Sequence, residues 1–275
     1  MKITIRRVAK WSFWGLFAVV VIVGLYLSVF FLPYPMFPHH AELAGFSVYS
    51  DREIAPDFSL VMDEARRRIE EMELSGGGNG LRIFVCHSQR LFVALNRLAG
   101  KRHWGQALVI SAAGNAFFSV SGIEAIGRRN GNRIPHSRLG GLWPAAIAHE
   151  SAHSLVFAEL GSSEARRVPV WKSEGHADYS ANLLPIESDP EYDLRRRIEW
   201  VLDDDLWQGP VGNVDRRHFR WQVLVEFLSG VEGMGFHQLL EDSVTEELAW
   251  ADMMAWYSAS RATSSTSTPR SQILR

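Results

Sequence analysis

From Phe13 to Leu32 the chain reads FWGLFAVVVIVGLYLSVFFL without a single charge, and no other feature so limits what it can fold into. At about 1.5 Å per residue a helix of this length crosses a hydrocarbon core of roughly 30 Å. The expected element is one transmembrane helix over 13–32. Lys2, Arg6, Arg7 and Lys10 precede it, and no Lys or Arg follows until Arg52. The positive-inside bias therefore places residues 1–12 in the cytoplasm and the remainder outside an inner (cell) membrane, periplasmic or extracellular. Trp11, Trp14 and Tyr34 stand near the ends of the run, where amphipathic rings prefer the headgroup region. A cleaved signal peptide is the rival reading. The run is long for its apolar segment, and PYPMFP follows instead of a small-x-small cleavage site.

Beyond a proline-rich linker at 33–45, enough sequence remains for one domain with a real core, expected over 46–257. Of 275 residues 47% are apolar and 22% charged, and the net charge of -2 comes without a basic stripe. That argues against nucleic acid as a partner. Alternation predicts a strand at 46–49, short apolar runs predict strands at 81–86, 106–111 and 115–120, and amphipathic spacing predicts helices at 55–74 and 91–100. SGGGNG (75–80) ends the first of these helices, and GRRNGNRIPHSR (127–138) reads as a polar loop. From Pro144 the pattern turns helical. One helix runs from Pro144 to Gly161, a second over 171–184, and more follow to Tyr257. The fold class is α+β, a mixed N-terminal sheet followed by a helical half. Residues 258–275, poor in apolar side chains, are expected to be disordered.

Inside the Pro144 helix stands His149-Glu150-Ser151-Ala152-His153, an H-E-x-x-H sequence. Four residues is slightly more than one turn, so both imidazoles leave the same face and can reach one tetrahedral zinc ion, Zn(2+). Glu150 lies about 100° around the helix, where a carboxylate can take a proton from water without ligating the ion. A hydrolytic zinc site needs a third protein ligand and an open position. On the next helix, Trp171-Lys172-Ser173-Glu174-Gly175-His176-Ala177-Asp178-Tyr179 offers Glu174 as that ligand. Asp178, one turn later, is placed to accept a hydrogen bond from a ligating histidine and fix its tautomer. His176 points to the opposite face.

The two stretches together resemble the gluzincins, the thermolysin-like branch of zinc metallopeptidases, and in particular their bacterial peptidase-MA-like members with A-H-E-x-x-H and W-x-x-E-G-x-A-x-Y. The resemblance spans about residues 144–183. It implies a zincin-like fold, with a mixed sheet over an active-site helix, and zinc-dependent hydrolysis of a peptide or protein substrate. It also implies a sheet-edge strand before the first histidine that pairs with the substrate backbone, a position matched by Asn115 and Ala116 in GNAFF. An ordinary core strand is the alternative there.

Two points depart from the better-known members. The separation of His153 from Glu174 is a little longer, and no downstream residue stands out to polarise the scissile carbonyl. His218 in RRHFRWQ is the best candidate, and Tyr179 is a second, with packing against the metal helix as its other role. Cys86 beside His87 suggests a thiol nucleophile only weakly, since adjacent strand residues point to opposite faces. A zinc-holding, membrane-tethered binding or regulatory domain with little turnover, or an amidase acting on a non-peptide bond, are the alternatives to a peptidase.

Overall fold

A computed structural model describes residues 5–74, 81–101, 106–123, 136–188, 193–203 and 216–266. It is an α+β protein whose contacts gather into two compact units. The first comprises Met1–Ser59 and Asn79–Glu124, the second Leu60–Gly78 and Ala125–Arg275. The segments 75–80 and 127–135, read above as a helix end and a loop, lie outside the described residues.

The first unit begins with α1 (Ile5–Phe31), which includes an apolar stretch, Trp11–Phe31, long enough to cross a membrane. Five strands follow in the order β1-β2-β3-β5-β4: β1 (His39–Leu43), β2 (Phe46–Ser50), β3 (Arg82–Cys86), β4 (Ala107–Ile110) and β5 (Asn115–Ser119). The inner pairs β2–β3 and β3–β5 are parallel, and β1 and β4 flank them antiparallel. α3 (Gln89–Leu98) lies on one face. Its Phe92 and Leu95 join Phe84, Cys86, Leu108 and Phe117 of the strands in a core that also takes in Phe30 and Phe37. Alternation explains the division, because Tyr49, Phe84 and Phe117 stand at paired register positions and their rings stack in a row across the sheet.

Strand β1 falls where a linker was expected. HHAEL lacks apolar alternation and is mostly exposed. What makes it a strand is the tight hairpin to β2 through Ala44 and Gly45, both with positive φ. A second correction concerns Asn115 and Ala116. They open β5, which is paired on both sides, so their backbone groups are already used and cannot receive an extended peptide. Both are fully buried. The edge beyond them is β4.

The second unit holds α2 (Phe58–Glu70), α4 (His136–Ala165), α5 (Val170–Ser188), α6 (Leu194–Leu202), α7 (Arg216–Glu226), α8 (Phe236–Leu239) and α9 (Glu246–Thr266). α4 starts eight residues before Pro144, which sits inside the helix, and breaks at Gly161, whose φ of 75° and ψ of 166° are not helical. Trp171, Ile198, Trp221, Leu224, Phe227 and Met253 form its core, with the buried Arg197 paired to Glu226 within the same helices. α9 continues to Thr266, so the first half of the expected disordered tail is helical; 267–275 lies outside the described residues.

Candidate metal centre

α4 and α5 supply the site. In the second unit they pack against each other so that His149 and His153 on one and Glu174 on the other converge, each half-buried, with one ligand atom apiece within 4.8 Å of the others. The Nε2 atoms of the two histidines are 3.1 Å apart, and Oε2 of Glu174 lies 3.5 Å from His149 Nε2 and 3.6 Å from His153 Nε2. A tetrahedral ion with bonds of about 2.0–2.1 Å has ligand–ligand edges of about 3.3–3.4 Å. The triangle therefore has the dimensions of one tetrahedral face.

Donor chemistry agrees with the dimensions. Asp178 Oδ1 is 2.8 Å from His149 Nδ1. A carboxylate only accepts, so Nδ1 carries the hydrogen and the Nε2 lone pair faces His153 and Glu174. Ser173 Oγ, 3.3 Å from His153 Nδ1, can accept the Nδ1–H of the tautomer that likewise frees Nε2. Two lone pairs and a carboxylate oxygen then meet at one point, which calls for positive charge. Without a cation, protons must supply it. Burial disfavours an imidazolium at His149, yet its hydrogen bonds to Asp178 and Glu174 outweigh burial and push its pKa well up. Burial likewise opposes ionisation of Glu174 and Asp178, but their histidine partners prevail and hold both carboxyls below the usual range. These residues fit a divalent metal.

Glu150 follows His149 on α4 and is half-buried, and its charge adds to the pull on the His149 proton. His218, on α7, enters the same cluster: its Nδ1 is 3.6 Å from Asp178 Oδ2 and 3.8 Å from Glu174 Oε2. Of the two residues singled out for polarising a carbonyl, it is the one brought to the carboxylates. Tyr179 instead packs against the helical core around Trp171 and Trp221. His176 faces away, 3.4 Å from Ser180 Oγ and against the Phe236 ring, and burial lowers its pKa to about 4. The Cys86 thiol is buried in the sheet, where desolvation and then the Asp51 charge push its pKa up and keep it protonated.

Two contributors had no role assigned from the sequence, although Gly175 stands in the W-x-x-E-G-x-A-x-Y pattern. Ser173 is one. The other is Gly175, where a Cβ would stand 2.6 Å from the Trp221 carbonyl oxygen and 2.9 Å from Val225 Cγ2. Only a glycine lets α7 approach α5 this closely, and α7 carries His218 one turn before Trp221. The side-chain spacing of H-E-x-x-H was visible in the sequence; a helix–helix approach is not, because it depends on which residue of another helix lies opposite.

No protein-family model matches this chain, and no curated protein or solved structure is significantly similar to it. The functional reading thus rests on the site.

Proposed function

We propose that this chain is a membrane-anchored zinc metallopeptidase of the gluzincin type, with zinc held by His149, His153 and Glu174. The observation that carries the reading is the triangle of two imidazole nitrogens and one carboxylate oxygen, with edges of 3.1, 3.5 and 3.6 Å, directly beside a carboxylate in the H-E-x-x-H order. Three protein ligands leave a tetrahedral ion one open position, the arrangement of catalytic rather than structural sites. A mixed sheet unit preceding the helical unit is consistent with the zincin plan, and the apolar α1 with attachment to a membrane, N-terminus inside.

Zinc bound at such a site supplies a Lewis acid for the carbonyl and lowers the pKa of water towards about 7. The protein does the rest. Glu150 accepts the proton of the attacking water and returns it to the leaving amine. Asp178 holds His149 in the tautomer that presents Nε2, and Ser173 does the same for His153. His218, with its ring beside Glu174 and Asp178, is placed to donate a hydrogen bond to the oxyanion that develops on the carbonyl.

Glu150→Gln tests the assignment. The amide keeps the volume and leaves the three ligands in place, so zinc measured by mass spectrometry after dialysis should remain near one per chain. Hydrolysis of a peptide library should fall by about 10²–10⁴. Full activity in Glu150→Gln, or retention of zinc when Glu174 is changed to Ala, contradicts these roles. Zinc in the unaltered protein with no hydrolysis of any peptide favours the binding-domain reading.

A further inference from the structure

The helix α1 can be a signal sequence or a permanent anchor by composition alone, and its packing separates the two. Most of its described side chains are exposed, but Val29 and Phe30 near its end enter the core of the sheet unit beside Phe84 and Phe117, and Pro33 and Phe37 follow them inside. The carbonyls at a helix C-terminus have no partner within the helix. Here the buried Asn115 donates from Nδ2 to the Phe30 carbonyl at 2.6 Å. Four residues earlier, the Tyr26 hydroxyl donates to the carbonyl of Leu98, at the end of α3, at 2.8 Å. Tyr34 accepts from Arg82 Nη1 at 2.6 Å. Cutting the chain after the apolar run would strip the amide of a fully buried asparagine of its acceptor and leave a hole where Phe30 sat.

The Tyr26 bond also fixes depth. Tyr26 precedes Phe31, the last residue of the candidate span, by five residues, about 7–8 Å along the helix axis. The span from Trp11 to Phe31 is only just long enough for a hydrocarbon core of roughly 30 Å, so it cannot be shortened to end at Tyr26. We infer that α1 is retained as part of the sheet unit's fold and seats the C-terminal end of α3, at Leu98, about 7–8 Å inside the hydrocarbon boundary, among the upper acyl-chain carbons. The side chains there suit that place. Leu98 is 44% exposed, and Arg97 and Lys101 beside it are exposed cations whose stems can lie along lipid while their charges reach headgroup phosphates.

The topology supplies an internal control. α3 runs back along the sheet, since its first residue Gln89 bonds Ser119 at the end of β5 while its last lies by Tyr26. Glu53, just beyond the end of β2, therefore stands at the far end of strands about 16–17 Å long. Full-length protein carrying Leu98→Cys or Glu53→Cys is labelled with a small fluorophore in nanodiscs of mixed phosphatidylcholine and phosphatidylglycerol; the native Cys86 is buried and serves as the unlabelled background. Nitroxide placed at the top of the acyl chain should quench the Leu98 label several-fold more than the Glu53 label. Should Leu98→Cys not fold, Arg97→Cys, already exposed, carries the same label. Equal, weak quenching at both ends overturns the inference, and so does an intact mass for membrane-extracted protein that lacks the residues before Phe30. Neither readout involves the metal, so the result stands apart from the fate of the proposed peptidase activity.

Discussion

Replacing Gly175 by Ala puts a methyl carbon into a space the structure does not contain. Its Cβ would lie 2.6 Å from the Trp221 oxygen and 2.9 Å from both the Trp221 carbonyl carbon and Val225 Cγ2. Restoring an ordinary contact of about 3.4 Å requires α7 to retreat by roughly 0.8 Å, and two of the three atoms are backbone, which cannot rotate aside. Overpacking of this kind costs about 1–3 kcal/mol, and the rigid partners place this case near the top of that range. Alanine's better helix propensity returns about 1 kcal/mol. A net loss of about 2 kcal/mol should lower Tm by about 4–8 °C in a unit of this size. The functional signature is a separation of effects. His149, His153 and Glu174 sit on α4 and α5, so zinc affinity measured by competition with a chromophoric chelator should change only a few-fold. His218 rides on α7, and a displacement approaching 1 Å can cost up to about 10²-fold in turnover. Unchanged Tm and activity in Gly175→Ala would refute the close approach, and loss of zinc without loss of stability would refute the division of roles between the helices.

Asp178→Asn weakens its hold on His149 Nδ1, and zinc affinity or activity should drop about 10–100-fold, measured by the same chelator competition. Zinc at 100 times its dissociation constant should stabilise the unaltered protein by about 2.7 kcal/mol, read as an upward shift of the thermal transition that a chelator reverses and that His153→Ala abolishes. Phe37→Ala, emptying a site only 2% exposed in the sheet core, should cost about 3–5 kcal/mol by denaturant unfolding. A chain lacking residues 1–38 loses Phe37 together with Phe30, so it should be less stable in chemical denaturation than one that begins before Tyr26.

Wherever one local rule decides the outcome, the sequence was readable. Alternation in β2 and short apolar runs in β3 to β5 placed these strands to within a residue or two, and the i, i+4 spacing of His149 and His153 placed both rings on one face before any tertiary contact was known. The third donor, Glu174, followed from the donor count a metal needs. What escaped depends on partners far along the chain. β1 is a strand because β2 pairs with it, and Asn115 caps a helix through a carbonyl eighty-five residues earlier. No periodicity encodes which strand of a sheet is its edge, so the choice between the edge strand that the resemblance implied and a core strand fell to the pairing, and β5 is paired on both sides. α4 passes through Pro144, whose local tendency to open a helix was overridden, and the helical start of the tail shows composition losing to the continuation of α9.

The two histidines and Glu174 all fall between residues 149 and 174, on consecutive helices joined at a short turn. Contacts of such small sequence separation close with little loop entropy, so the α4–α5 hairpin can form early in folding, without the sheet strands having found their register. A cation captured at that stage would hold the hairpin together while slower pairings such as β3 with β5 are still being made. Were the site to hold a metal, its supply during synthesis would become a kinetic variable, one that would set how fast the helical unit matures as well as how stable it is once made.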